Sequence, residues 1–235
     1  MKELGEKKIA YSEHAYFFSV LFIALSVAFL YVAGFGTSLT SAPALVLYQK
    51  VAYTTDSLSY GEAEYTIQAL VLLFLFIVTG RFNKKYVMSF VSTLLFSAII
   101  DATINVFALI PYSILGLIWV RVIILVFALV LGPFGFVLMS HTYISPIIYI
   151  LYQDELSDAI GKSKNTVFWT YSLVSCGFAL FLSFYFFGMW EFIGVNIGTI
   201  LYTLSTILLH EPMEHFVEKH YKFRDKYPKL KRHFR

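Results

Sequence analysis

Six apolar runs, at residues 15–34, 65–80, 86–109, 114–138, 166–188 and 192–209, leave this chain few ways to fold. About 20 apolar residues in a helix match the thickness of a bilayer's hydrocarbon core, where every backbone N–H and C=O must be satisfied internally. Composition points the same way: 58% of residues are hydrophobic and 14% charged, whereas a soluble domain carries charge on about a quarter of its positions. The 24 Phe and 17 Tyr exclude disorder, and the 13 Gly, without a regular period, exclude a collagen-like chain. The first run is too long for the core of a cleavable signal peptide and reads as an uncleaved anchor. The expected fold class is all-α: a polytopic membrane protein with six transmembrane helices and a single membrane domain over residues 1–235.

Basic residues set the expected orientation. Lys2, Lys7 and Lys8 precede the first run; Arg81, Lys84 and Lys85 separate the second from the third; Lys162 and Lys164 separate the fourth from the fifth. From Lys219 to Arg235 fall eight of the 18 basic residues, whereas Lys50 stands alone between the first and second runs. Short cytoplasmic loops are enriched in Lys and Arg, so the 1–14 tail and the basic 210–235 tail are both expected in the cytoplasm, with the protein in the cell membrane. No nucleic-acid motif accompanies the tail, and a basic segment directly after a span is suited to the anionic leaflet. The expected partners are the lipid bilayer, a small solute and a second membrane protein, with no nucleic acid. Cys176 is the single cysteine, which excludes an internal disulfide and a Cys-based zinc site and leaves a packing role.

Two long connections resemble each other. The first runs through Thr40, Ser41, Ala42 and Pro43 to Tyr48 and Gln49; the second runs through Tyr143, Ile144, Ser145 and Pro146 to Tyr152 and Gln153. Each follows the first span of its half, about 15–109 and 114–209, and with three spans per half the second copy enters the membrane from the opposite side. This is the pattern of a 3+3 inverted-topology repeat. Each Pro start opens a short helix, and two placements fit. As re-entrant half-helices, the pair would direct free N–H groups into a cavity, with Thr37, Ser38, Thr40, Ser41 and Ser145 adding hydroxyls suited to an anion. As interfacial helices, they would hold Tyr48, Tyr53, Tyr149 and Tyr152 at headgroup level.

Asp101 and Arg121 each lie ten positions from Pro111, which at 1.5 Å per residue puts both about 15 Å deep on adjacent helices. They are expected to face one another near the midplane, as a structural ion pair or as part of a substrate or proton pathway. Ser97 and Asn105, four residues to either side of Asp101, extend its polar face. Gly194, Gly198 and Thr199, with Thr203, Ser205 and Thr206, give the sixth run a small, hydroxyl-rich face that serves close packing or lies across the cavity from Asp101. His210, Glu211, Glu214 and His215 lack the spacing of the zinc-protease motif, and Pro212 interrupts them; they read as solvated groups at a helix end, with no metal site. No nucleophile, phosphate loop or redox motif occurs within the runs, so neither an enzyme nor a cofactor is expected.

Taken together, Gly34, Gly36, Thr37 and Ser38, the Ser41–Pro43 and Ser145–Pro146 starts, Ile100 with Asp101, and Ile193, Gly194, Gly198 and Thr199 resemble the YczE/YitT-like family of bacterial integral membrane proteins. Leu39 and Asn196 depart from that pattern. The resemblance implies a bacterial polytopic membrane protein and brings no biochemical activity with it. The expected function is a permease or secondary transporter of a small polar or anionic solute, using Asp101, Arg121, Asn105, Ser97, Thr37, Ser38, Ser41, Ser145, Thr199 and Thr203. The alternative is a non-catalytic membrane partner, either a substrate-capturing subunit of a larger transporter or an accessory scaffold.

Overall fold

Helix boundaries follow local chemistry. The computed structural model describes residues 7–55, 57–80 and 82–227; Lys2, Arg81 and the tail beyond Tyr227 lie outside the described residues. A short strand, β1 (Lys8–Tyr11), leads into α1 (Ser12–Ala33), which ends where Gly34 turns left-handed at φ 71° and its N–H bonds the Tyr31 carbonyl. After α2 (Ala42–Thr54), α3 (Tyr60–Thr79) starts at a reciprocal capping box between Ser59 and Glu62. Asn83 caps α4 (Lys84–Ala108), and the single turn α5 (Tyr112–Leu115) joins it to α6 (Ile118–Ser140). Then follow α7 (Ile148–Ile160), α8 (Lys164–Phe187), which is capped by Ser163, and α9 (Ile197–His220), which is capped by Asn196. Strand β2 (Tyr221–Arg224) pairs in parallel with β1, Lys8 opposite Tyr221, and holds the beginning of α1 beside the end of α9.

Among the described residues, five helices are long and apolar enough to cross a membrane: α1, α3, α4, α6 and the Thr166–Phe187 part of α8. They are those of a multi-pass membrane protein. The run at 192–209 is not a helix throughout, because Gly194 at φ 85° keeps the residues before Ile197 in a loop. Helix α9 is 24 residues long, but its second half carries His210, Glu211, Glu214, His215 and Glu218. Pro212 does not stop it; the helix continues to His220.

The order long, short, long, long occurs twice, as α1 to α4 and as α6 to α9, and both short helices have 13 residues. Contacts follow the same exchange. Helices α1 and α6 form the central pair, α1 packs on α4 as α6 packs on α9, and α2 packs on α8 as α7 packs on α3. The exchange fails at two places: α3 packs along α4, whereas α8 and α9 barely touch, and α4 meets α7, whereas α9 and α2 barely touch.

The central pair is close because its facing residues are small. A Cβ on Gly135 of α6 would stand 2.7 Å from the Ile23 side chain and 3.1 Å from the Ser19 carbonyl of α1. Lipid tails are as apolar as leucine, so helices in a bilayer gain from such backbone approach rather than from exclusion of water. The core beside this pair gathers Val20, Ala24 and Val27 of α1 with Leu45, Tyr60, Phe96 and Ile100.

Candidate functional site

The starts of α2 and α7 are enclosed by protein. Ala42 to Val46 are buried, as are Ile147, Ile148 and Tyr149. A hydroxyl ladder on α4 fixes the second start: Ser89 donates to the Pro146 carbonyl (2.5 Å), Ser92 to the Ser145 carbonyl (2.9 Å), and Thr93 Oγ1 accepts the Ile148 N–H (3.1 Å). Of the four tyrosines assigned to a headgroup belt, Tyr149 and Tyr152 are buried and Tyr53 is 85% exposed.

Between these two starts lies Glu64, in the second turn of α3 and 0% exposed. Tyr60 donates to its Oε1 (3.2 Å) and Tyr149 to its Oε2 (3.1 Å), and the Ser41 hydroxyl also turns toward it. Among the described residues no Lys or Arg pairs with it. One turn on, buried Gln68 accepts from Thr93 (3.2 Å) while its Nε2 has no partner in bonding geometry. Tyr60 has one hydroxyl proton, so with that proton on Glu64 it accepts from Thr37 Oγ1 at 2.8 Å. The Thr37 N–H in turn donates to Thr199 Oγ1 (3.3 Å), and Thr199 donates to the Gly194 carbonyl. A continuous hydrogen-bonded line therefore runs from α7 through α3 and the 37–41 segment to the start of α9.

A small cleft opens on the other side of that segment, where α8 and α9 part. It is lined by Ser38, Thr40, Ser172, Tyr202, Thr203 and Thr206, with Phe136 and Phe168 among its apolar walls. The Ser172 hydroxyl is buried and unpartnered. Thr203 donates to the Thr199 carbonyl and Thr206 to the Tyr202 carbonyl, so their methyl groups and second lone pairs are what remain for a ligand. On α8, Ser175 donates to the Thr40 carbonyl and holds the segment from below.

Asp101 and Arg121 do not meet. Asp101 accepts from the Ser59 hydroxyl and the Gly61 N–H, both at 2.7 Å, and so sits on the N-terminal end of α3. Arg121 donates Nε to the Ala33 carbonyl at 2.6 Å and lies over the Phe35 ring, and so sits on the C-terminal end of α1. Each charge is met by the helix end of opposite partial charge. Equal depth fails because α5 intervenes: Arg121 falls in the first turn of α6, whereas Asp101 is about two turns inside α4. Asn105 is exposed. Ser97 is buried, but its hydroxyl is without a partner. Thr37, Ser41 and Thr199 join the Glu64 line, Ser38 and Thr203 line the cleft, and Ser145 serves through its backbone. Glu64 itself escaped the sequence reading, which began the second span at Tyr65; the Ser59-x-x-Glu62 box was the signal that would have started it earlier.

A family model described as a family of unknown function (DUF6198) matches residues 11–208. No curated protein and no solved structure matches the chain, and no named relative supports the YczE/YitT-like resemblance specifically. Because the match runs from the start of α1 to the middle of α9 and covers most of the chain, Glu64 and the cleft included, the chain belongs to DUF6198, a family of unknown function.

Proposed function

We propose that the protein is a secondary transporter, a permease that holds a small polar solute in the cleft between α8 and α9 and exchanges a proton or small cation on Glu64. The observation that carries this reading is a fully buried carboxylate met by neutral groups, the Tyr60, Tyr149 and Ser41 hydroxyls and the Gln68 amide, with no Lys or Arg paired to it among the described residues. A charged group inside the bilayer costs about 2.5–3.5 kcal/mol on insertion scales, and such groups mark ion and substrate pathways. Since Glu64 already places an acid between the starts of α2 and α7, the solute sharing this centre is neutral or cationic rather than anionic. Glu64 and the cleft are coupled through residues 37–41. A proton on Glu64 turns it from acceptor to donor toward Tyr60, which reverses the Tyr60–Thr37 bond and shifts the segment that lines the cleft.

Alternating access then follows from a 3+3 inverted repeat. Supporting this are the matching helix lengths and the exchange-related contacts. Six crossings are favoured over five because β1 and β2 pair beside the first and last long helices, and an odd number would put those ends on opposite sides. The buried starts of α2 and α7 favour the re-entrant placement. The basic residues assign the paired ends to the cytoplasmic side.

Charge displacement on a solid-supported membrane tests the reading without knowledge of the solute. Proteoliposomes carrying the wild-type chain should give a transient current on a step from neutral to acidic buffer. Glu64→Gln, which keeps the shape and removes the titratable proton, should abolish it, and Tyr149→Phe should weaken it. An unchanged transient in folded Glu64→Gln would overturn the reading, as would a silent wild type.

A further inference from the structure

The paired-strand end of the molecule holds a second cluster, separate from Glu64. His141 closes the C-terminal end of α6, its N–H reaching the Leu138 and Met139 carbonyls. Its ring lies flat on Phe223 of β2, with centroids 4.5 Å apart and planes 6° from parallel. Opposite are Glu214 and Glu218, one turn apart on α9, so their carboxylates share a face. Ligand atoms of His141, Glu214 and Glu218 lie within 4.8 Å of one another. His210 Nδ1 is 3.7 Å from Glu214 Oε2 and extends the group. Two further observations separate this from an ordinary acidic surface. His141 Nε2 is buried and has no hydrogen-bond partner, although a buried ring nitrogen normally finds one. Among the described residues no Lys or Arg pairs with either glutamate.

We propose that His141, Glu214 and Glu218 bind one divalent transition-metal ion, zinc being the probe of choice, which clasps the end of α9 to the end of α6. One imidazole with two carboxylates is a nitrogen and oxygen donor set suited to zinc, with ligand bonds of about 2.0–2.2 Å. Ligand atoms that close reach such bonds by side-chain rotation without backbone movement. The Phe223 stack fixes the imidazole plane, as neighbouring groups orient the rings of metal-bound histidines. The donors come from the C-terminal cap of α6 and from α9, and Phe223 of the strand that pairs with β1 packs on the imidazole. The ion would therefore pin together the ends of two helices that already pack along each other.

The test is calorimetric titration of the chelator-stripped, detergent-solubilised full chain with zinc chloride, alongside its melting temperature. One tight equivalent is expected, together with a zinc-dependent rise in melting temperature. His141→Ala and Glu218→Gln should each weaken binding at least tenfold and remove the thermal shift, while His215→Ala, at an exposed position on the same helix, should leave both unchanged. Glu218 is exposed, so its variant reports on the site even if His141→Ala folds poorly. Absence of the tight equivalent, wild-type binding by Glu218→Gln, loss of binding in His215→Ala, or displacement of zinc by millimolar magnesium would each overturn the proposal.

Discussion

At the scale of single residues, the charges held among the helices divide into two kinds by what meets them. Asp101 and Arg121 are each held by a helix end and have fixed partners. Gly61 makes the first of these contacts available: a Cβ there would lie 2.3 Å from the Ser97 carbonyl and 2.5 Å from Asp101 Oδ2. Gly61→Ala must push α3 off α4, and Asp101→Ala removes two hydrogen bonds to a charged group, worth about 1.5–3 kcal/mol each. Both variants should lower the melting temperature in detergent by several degrees, and the fraction that stays folded should keep the acid-induced current. A lost current with an unchanged melting temperature would place Asp101 in the pathway instead. Arg121→Lys should also destabilise, because an ammonium cannot stack flat on Phe35 while bonding the Ala33 carbonyl. Glu64 is of the other kind. Glu64→Gln removes a charge that no cation among the described residues balances, so its melting temperature should stay level or rise while the current is lost. That opposite pairing of stability and flux separates a working carboxylate from a structural one.

At the scale of the helices, what the sequence made legible was whatever a run of apolar residues declares. Five spans, the two Pro-started short helices and the long linkers between them follow from apolar length and turn residues. Three features did not follow, each for a physical reason. The stretch before Ile197 is as apolar as a span, yet Gly194 bends it out of helix, and hydropathy does not register φ. Arg121 was placed too deep because a single turn of helix, α5, consumed residues that had been counted as span. Glu64 is one residue outside the apolar run, and its burial depends on α7 arriving from the other half, a long-range contact that no local pattern encodes. Close packing of α1 on α6 belongs to the same class, since the need for Gly135 appears only once its partner is known. Gly135→Val should force the central pair apart. Because α1 and α6 anchor both halves, the expected result is loss of monodisperse protein on size-exclusion chromatography, whereas Gly177→Ala on α8, where a Cβ meets nothing within 4 Å, should elute as wild type.

At the scale of the whole molecule, the departure from exact exchange between the halves is the informative feature. Helices α3 and α4 are packed, while their counterparts α8 and α9 part around the cleft. Glu64 faces the start of α7, whereas Ser175 of α8 bonds the Thr40 carbonyl and Ser172 shares the cleft with residues 38–40, just before α2. If the chain is the inverted-repeat carrier proposed above, the conformation of one half becomes that of the other when the carrier turns over, and the second state would have α8 and α9 closed and α3 and α4 parted. Spin labels at Leu173 and Leu204 would report the first gap, and labels at Leu73 and Leu95 the second, all four sites being exposed, in a Cys176→Ser background. Pulsed dipolar distances should show two populations for each pair. As the α8–α9 distance shortens on acidification, the α3–α4 distance should lengthen, and Glu64→Gln should hold both pairs at the distribution that acid gives the wild type. Anticorrelation is the decisive reading, because a protein that merely breathes would broaden both gaps together. A single fixed distance for each pair at every pH would mean that the asymmetry is permanent; the chain would then be a scaffold or capture subunit, and the buried carboxylate would have no cycle to drive.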